Sequence, residues 1–174
     1  MGNYAKVIYL ISKNIIFNQN LMSVPRFVLV LSGIIVVMSA FLLLIGSEFL
    51  LYSLTDTQYV PFGTFLTWFG LACFPLLVYS SLSALRSPNN SWQRLFSVIL
   101  KVQFVLSVLW LPMAYLLAGN WAFNFSNTLS FQGGQLAMKI FWIYSYGLPL
   151  SVLLLLILHI MTWLYVKYKG QFKA

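Results

Sequence analysis

The sequence predicts an all-α integral membrane protein, an antiparallel bundle of four transmembrane helices preceded by an amphipathic interfacial helix. Three observations predict it. Of 174 residues, 61% are hydrophobic and only 7% charged, against about 45–50% apolar and about 25% charged in an average soluble domain. Four long stretches are uncharged or nearly so, and a helix of roughly 20 apolar residues spans a bilayer. Of the ten Lys and Arg side chains, set against two acids, nine gather beside those stretches on one side. So few charges cannot cover a surface in water, and a disordered chain could not be this apolar.

Residues 3–17 come first. Val7, Ile8, Leu10, Ile11, Ile15 and Ile16 fall close to one broad helical face, with Lys6, Ser12, Lys13 and Asn14 mostly elsewhere. Too short and too polar to span, the segment reads as a helix lying in the interface, where it anchors the first span or docks a partner. The first span runs from Phe27 to Gly46 without a charge. It is longer than the apolar core of a secretory signal and no Ala-x-Ala site follows it, so it is expected to be retained. The second span, Phe62 to Leu85, is also uncharged. The third, Leu95 to Leu117, is broken only by Lys101 and Gln103, and the fourth, Ile140 to Val166, has His159 as its single ionisable group. Backbone groups in hydrocarbon must be satisfied internally, so each span is a helix, and short connections favour antiparallel neighbours. Residues 1–174 form one membrane domain.

The first outer loop, Ser47 to Pro61, is expected to begin as a continuation of the first helix over residues 48–52 and then turn polar. The second, Gly119 to Lys139, holds Trp121, Phe123, Phe125 and Phe131 among Asn120, Asn124 and Asn127. Aromatic residues at this level form an interfacial belt. Trp121, Phe123, Asn124, Phe125 and Phe131 are also the candidates for an outer recognition loop, because such side chains make good contact patches.

Charge placement sets the orientation. Lys6, Lys13 and Arg26 precede the first span, Arg86, Arg94 and the shallow Lys101 flank the connection between the second and third, and Lys167, Lys169 and Lys173 follow the fourth. Lys139 alone lies on the other side, together with Glu48 and Asp56. Both termini and residues 86–94 are therefore expected in the cytoplasm, in a bacterial inner membrane that the protein crosses several times. The net charge of +8 is spread over three juxtamembrane segments that face anionic lipid. It forms no continuous basic face of the kind nucleic acid needs, so no nucleic-acid partner is expected.

Two acids, one His and one Cys leave little from which to build an active site. A Ser nucleophile needs a base and an orienting group, and neither acid falls at the depth of His159. One His cannot supply a bis-His haem site, zinc lacks ligands, and Cys73 has no cysteine to pair with. No catalytic residue, metal or cofactor is expected, and the chain is not read as an enzyme. Lys101, Gln103, His159 and Thr162 share one depth in the third and fourth spans and form the candidate polar cluster. Ionisable residues in the bilayer are functional candidates by default, although Lys101 is close enough to the interface to snorkel.

Small residues mark where helices approach. Gly63, Thr67 and Gly70 make a stripe on the second span, continued towards the cytoplasm by Ser80 and Ala84, and Gly33 and Ala40 lie two turns apart on the first. Pro75, Pro112 and Pro149 each interrupt a span and free a carbonyl.

These features point to a protein that acts by contact, either an accessory subunit or an immunity- or exclusion-type factor. Its partner would be another integral membrane protein or a second copy of itself. In size and termini-inside topology the chain resembles the four-helix immunity proteins that protect bacteria from pore-forming bacteriocins, and equally the small entry-exclusion proteins of conjugative plasmids. The likeness is architectural and rests on no specific motif. The alternative is a subunit of a small oligomeric channel or transporter, built around the polar cluster and the proline kinks.

Overall fold

Four helices are long and apolar enough to cross a membrane: α1 (Arg26–Ile45), α2 (Phe62–Ser81), α4 (Ser91–Ala118) and α5 (Gly134–Gln171, apolar to Val166). A one-turn helix, α3 (Ser83–Arg86), follows α2. The computed structural model describes residues 26–56, 58–122, 125 and 131–171. The expected interfacial helix over 3–17 lies outside the described residues, as do Phe123 and Asn124. Among the described residues there is no strand, only an isolated bridge between Ser53 and Pro61. The chain is a multi-pass helical membrane protein.

Local chemistry explains where the helices end. The first helix does not continue over residues 48–52. Gly46 takes φ +66°, and the Ser47 hydroxyl accepts from the Phe49 N–H to cap a separate 3-10 turn, Glu48–Leu51. At the other end α2 stops at Ser81, four residues before the expected limit at Leu85; the chain breaks at Leu82 and resumes as α3. There the hydroxyls of Ser80 and Ser81 donate back to the carbonyls of Leu76 and Leu77, both at 2.6 Å, a bond that competes with the helix ladder. The fourth helix starts earlier than expected because Asn90 caps it, its Oδ1 accepting from the Gln93 N–H at 2.8 Å. It stops at Gly119, which adopts a left-handed φ of +72° and donates its N–H to the Tyr115 carbonyl at 2.7 Å. That conformation suits glycine at a helix end. With 38 residues, α5 is about 57 Å long at 1.5 Å per residue, longer than a hydrocarbon core of about 30 Å.

The core is shared by α2, α4 and α5 and falls into two apolar clusters. Val78, Leu85, Phe96, Leu100, Val152 and Leu155 pack at the end near Arg86 and Arg94. Trp110, Ala114, Ala118, Phe141 and Leu148 pack at the opposite end. In lipid such packing works through close van der Waals contact and hydrogen bonds between helices, because the surrounding tails are as apolar as the core. Three bonds stitch α4 into place. Trp110 Nε1 donates to Ser145 Oγ at 2.8 Å and the Tyr144 hydroxyl to the Leu106 carbonyl at 2.5 Å. The third comes from α2, where Trp68 Nε1 donates to the Val108 carbonyl at 3.0 Å. Val108 is the residue whose carbonyl Pro112, lacking an N–H, leaves without its helical donor.

On the flank lies α1. Only 11% of its apolar stretch is buried, against 33% for α4. Its seam with α2 is narrow: Ser39 Oγ donates to the Leu66 carbonyl at 3.0 Å, and Gly33 lies against Leu77.

Candidate functional site

The inner face of α4 reads Phe96, Leu100, Gln103, Ser107, Trp110, Ala114 and Ala118, a spacing of three and four that brings all of them to one side. Gln103 and Ser107 interrupt it between the two apolar clusters. They are only 7% and 1% exposed. Neither Gln103 Oε1 nor Ser107 Oγ has a hydrogen-bond partner among the described residues. Polar oxygens without partners are costly in a low-dielectric interior and more so inside hydrocarbon, where no bulk water reaches them.

One end of the bundle, beside the Arg86–Arg94 connection, contains a cavity of about 110 Å³. The N-terminal turn of α4 supplies Asn90, Trp92, Gln93 and Phe96 to its wall; Ala84 comes from α3, and His159, Thr162, Trp163 and Val166 come from α5. Phe96 sets the position of His159, the two rings meeting edge to face with centroids 5.9 Å apart. His159 is buried, and its Nδ1 has no hydrogen-bond partner among the described residues. Thr162 sits one turn on, its hydroxyl donating to the His159 carbonyl at 2.8 Å.

Of the four residues expected to cluster by depth, His159 and Thr162 thus meet at the cavity. Gln103 lies further along the core. Lys101 is exposed, with its Nζ 5.8 Å from the centre of the Tyr79 ring. At about 100° per residue, positions 101 and 103 point to opposite sides of a helix, so sharing a depth does not bring these two together.

At the other end, the described aromatic residues of the second outer loop pack inward. The Trp121 carbonyl accepts from the buried Thr64 hydroxyl at 2.7 Å, and its ring lies 4.5 Å from that of Tyr115. Phe125 covers Gly63, where an added Cβ would come within 2.6 Å of its ring. Phe131 meets Phe141 at 5.1 Å. These three residues cap the bundle.

The small residues divide by role. Gly70 lets α1 approach closely, since a Cβ there would fall 2.7 Å from that of Ser39. Thr67 donates to the Gly63 carbonyl within its own helix at 2.7 Å, Ser80 bonds back along α2, Ala84 lines the cavity, and Ala40 is exposed. Ser107, Ser39 and Trp68 were not anticipated. Ser107 was legible as the residue one turn from Gln103; the bonding partners of the other two lie on neighbouring helices and leave no trace in local spacing.

Among the described residues no three His, Cys, Asp or Glu side chains gather where they could hold a metal ion. Fold and site define a polytopic helical membrane protein with a divided core. No family model matches the chain, and no curated protein or solved structure matches it.

Proposed function

We propose that this chain is a small polytopic protein of the bacterial inner membrane that acts by contact with another integral membrane protein or a second copy of itself, as an accessory subunit or an immunity- or exclusion-type factor. In this reading the four spans form an antiparallel bundle with both termini and residues 86–94 in the cytoplasm. Contacts between neighbours support it by running in opposite order along the chain. Phe96 meets His159, Leu106 meets Tyr144 and Trp110 meets Phe141, while Gly33 meets Leu77 and Ser39 meets Leu66. Cation placement supports the orientation, with Arg26, Arg86 and Arg94 at one end and Glu48 and Asp56 at the other.

The observation that carries the contact reading is the position of α1. A spanning helix that buries 11% of its apolar stretch leaves most of its circumference to lipid or to a partner helix, and the exposed Ala40 offers a low-relief point of approach. The test is copurification of tagged, full-length protein after gentle detergent extraction. A stoichiometric complex lost on Ala40→Phe is expected. Recovery of the protein alone, with no self-association in cross-linking, would sink the reading.

A second reading, a subunit of an oligomeric channel or transporter, is favoured by one specific observation, the unpartnered oxygens of Gln103 and Ser107 midway through the core. Reconstitution into liposomes separates the two. Solute flux abolished by Gln103→Leu would establish transport; tight liposomes together with a stable complex would exclude it.

A further inference from the structure

Lys101 is a cation on a face of the bundle that meets lipid. Its neighbours on that side of α4 are Val98, Val102 and Val105, all exposed. Its ammonium lies over the Tyr79 ring of α2, 5.8 Å from the centre. Tyr79 is half-buried and packs against the apolar cluster of Val78, Leu85 and Phe96, which fixes the ring in place. A ring face offsets part of the cost of a charge beside hydrocarbon but brings no opposite charge of its own. The only acidic side chains of the protein, Glu48 and Asp56, lie near the start of α2, where Phe49 packs on Phe62, whereas Tyr79 is in its last turn. An anion that pairs with Lys101 therefore comes from outside the chain.

We propose that Lys101 and Arg94, beside the Tyr79 ring, bind the phosphate of an anionic phospholipid in the leaflet at the Arg86–Arg94 end. Depth favours this anion. The 20 residues of α2 extend about 30 Å at 1.5 Å each, the thickness of the hydrocarbon core, so its last turn lies at the boundary where head groups begin. Exposed Ser81, Ser83 and Arg86 follow at once. By reaching to Tyr79, the Lys101 ammonium comes to that level while its stem lies along apolar surface. Arg94, also exposed, precedes Lys101 by seven residues, which at about 100° per residue places it within about 20° of the same side of α4, two turns nearer the surface. A phosphate at the boundary can meet both cations, and the acyl chains then cover Val98, Val102 and Val105. A carboxylate on the spanning helix of a partner would lie deeper and leave Arg94 unanswered.

Full-length protein in a non-ionic detergent tests this, with dioleoyl phosphatidylglycerol and dioleoyl phosphatidylcholine as probes and bound lipid counted by native mass spectrometry. Phosphatidylglycerol is expected to bind about tenfold more tightly than phosphatidylcholine, whose choline already answers its phosphate; Lys101→Gln erases that preference, a loss the size of one charge-assisted hydrogen bond. Lys101→Arg keeps it, and Arg94→Gln lowers it about fivefold, the contribution of one juxtamembrane cation. Lys139→Gln, which removes a cation near the start of α5, leaves it unchanged. Because Lys101 and Arg94 are exposed, these variants should fold, and unchanged helical circular dichroism checks that they do. Equal retention of the two lipids, a preference that survives Lys101→Gln, or an equal loss with Lys139→Gln overturns the proposal. So does a protein partner whose copurification needs Lys101 while the lipid preference does not.

Discussion

Trp68→Phe should destabilise the bundle, and should do so only while Pro112 is present. The indole Nε1 of Trp68 lies 3.0 Å from the Val108 carbonyl, the acceptor that a backbone N–H at position 112 would otherwise use. Interhelical hydrogen bonds in membranes average about 0.6 kcal/mol and reach about 1.7. This one belongs near the upper value because the proline removes the competing donor, and a carbonyl left without any donor costs about 1–3 kcal/mol. Trp68→Phe also removes part of a half-buried ring, so its total effect mixes packing with hydrogen bonding. A double-mutant cycle with Pro112→Ala separates them. In that background the new backbone N–H takes the Val108 carbonyl, the packing loss is unchanged, and the coupling is expected at about 1–1.5 kcal/mol. Reversible unfolding in mixed detergent–SDS micelles, followed by circular dichroism, measures all four corners. If Trp68→Phe costs the same in both backgrounds, to within about 0.3 kcal/mol, the indole does not serve the proline-freed carbonyl and the reasoning fails.

Three further outcomes are expected from the same unfolding assay. Gln103→Leu removes a buried, unpartnered oxygen at little change in volume and should stabilise the protein by about 1–3 kcal/mol; a loss of stability would mean that the oxygen is satisfied from outside this chain. Gly70→Val places a Cβ 2.7 Å from that of Ser39, so α1 must move and surrender its bond to the Leu66 carbonyl, at about 1–3 kcal/mol, whereas Ala40→Val on the exposed side should be neutral. Thr64→Val keeps the shape of a fully buried side chain but removes the donor to the Trp121 carbonyl, and should cost about 0.5–1.5 kcal/mol and loosen the outer loop to proteolysis.

What the sequence made legible was one-dimensional. Run length and the absence of charge located all four spans, because hydrocarbon imposes a length that can be counted along the chain. The ends shifted where a side chain intervened: Asn90 extended α4 by a cap, and the Ser80–Ser81 back-bonds preceded the break at Leu82. Grouping Lys101 with Gln103 by depth ignored rotation about the helix, which sends the first towards Tyr79 and the second into the core. The aromatic residues of the outer loop looked equally suited to a belt, a recognition patch or a cap. What directs Trp121 and Phe125 inward is Thr64 and Gly63, on a helix nearly sixty residues earlier in the chain.

The distribution of stitches bears on how the protein works. The hydrogen bonds that Trp68, Trp110 and Tyr144 make between α4 and α2 or α5 in the middle of the bundle lie on the Pro112 side of Gln103. Gln103 and Ser107 accept none of them, although Leu106 and Val108 beside them do. Among the described residues these two oxygens therefore do not hold this chain's own helices together, while their desolvation is costly. A protein that acted only through the outer face of α1 would gain stability from replacing both residues and lose nothing. A protein that passes water or a solute through the core, or that admits a donor from a second copy there, would gain stability and lose activity. Measuring stability, complex formation and flux on the same Gln103→Leu, Ser107→Ala double variant therefore separates contact at the flank from chemistry at the centre.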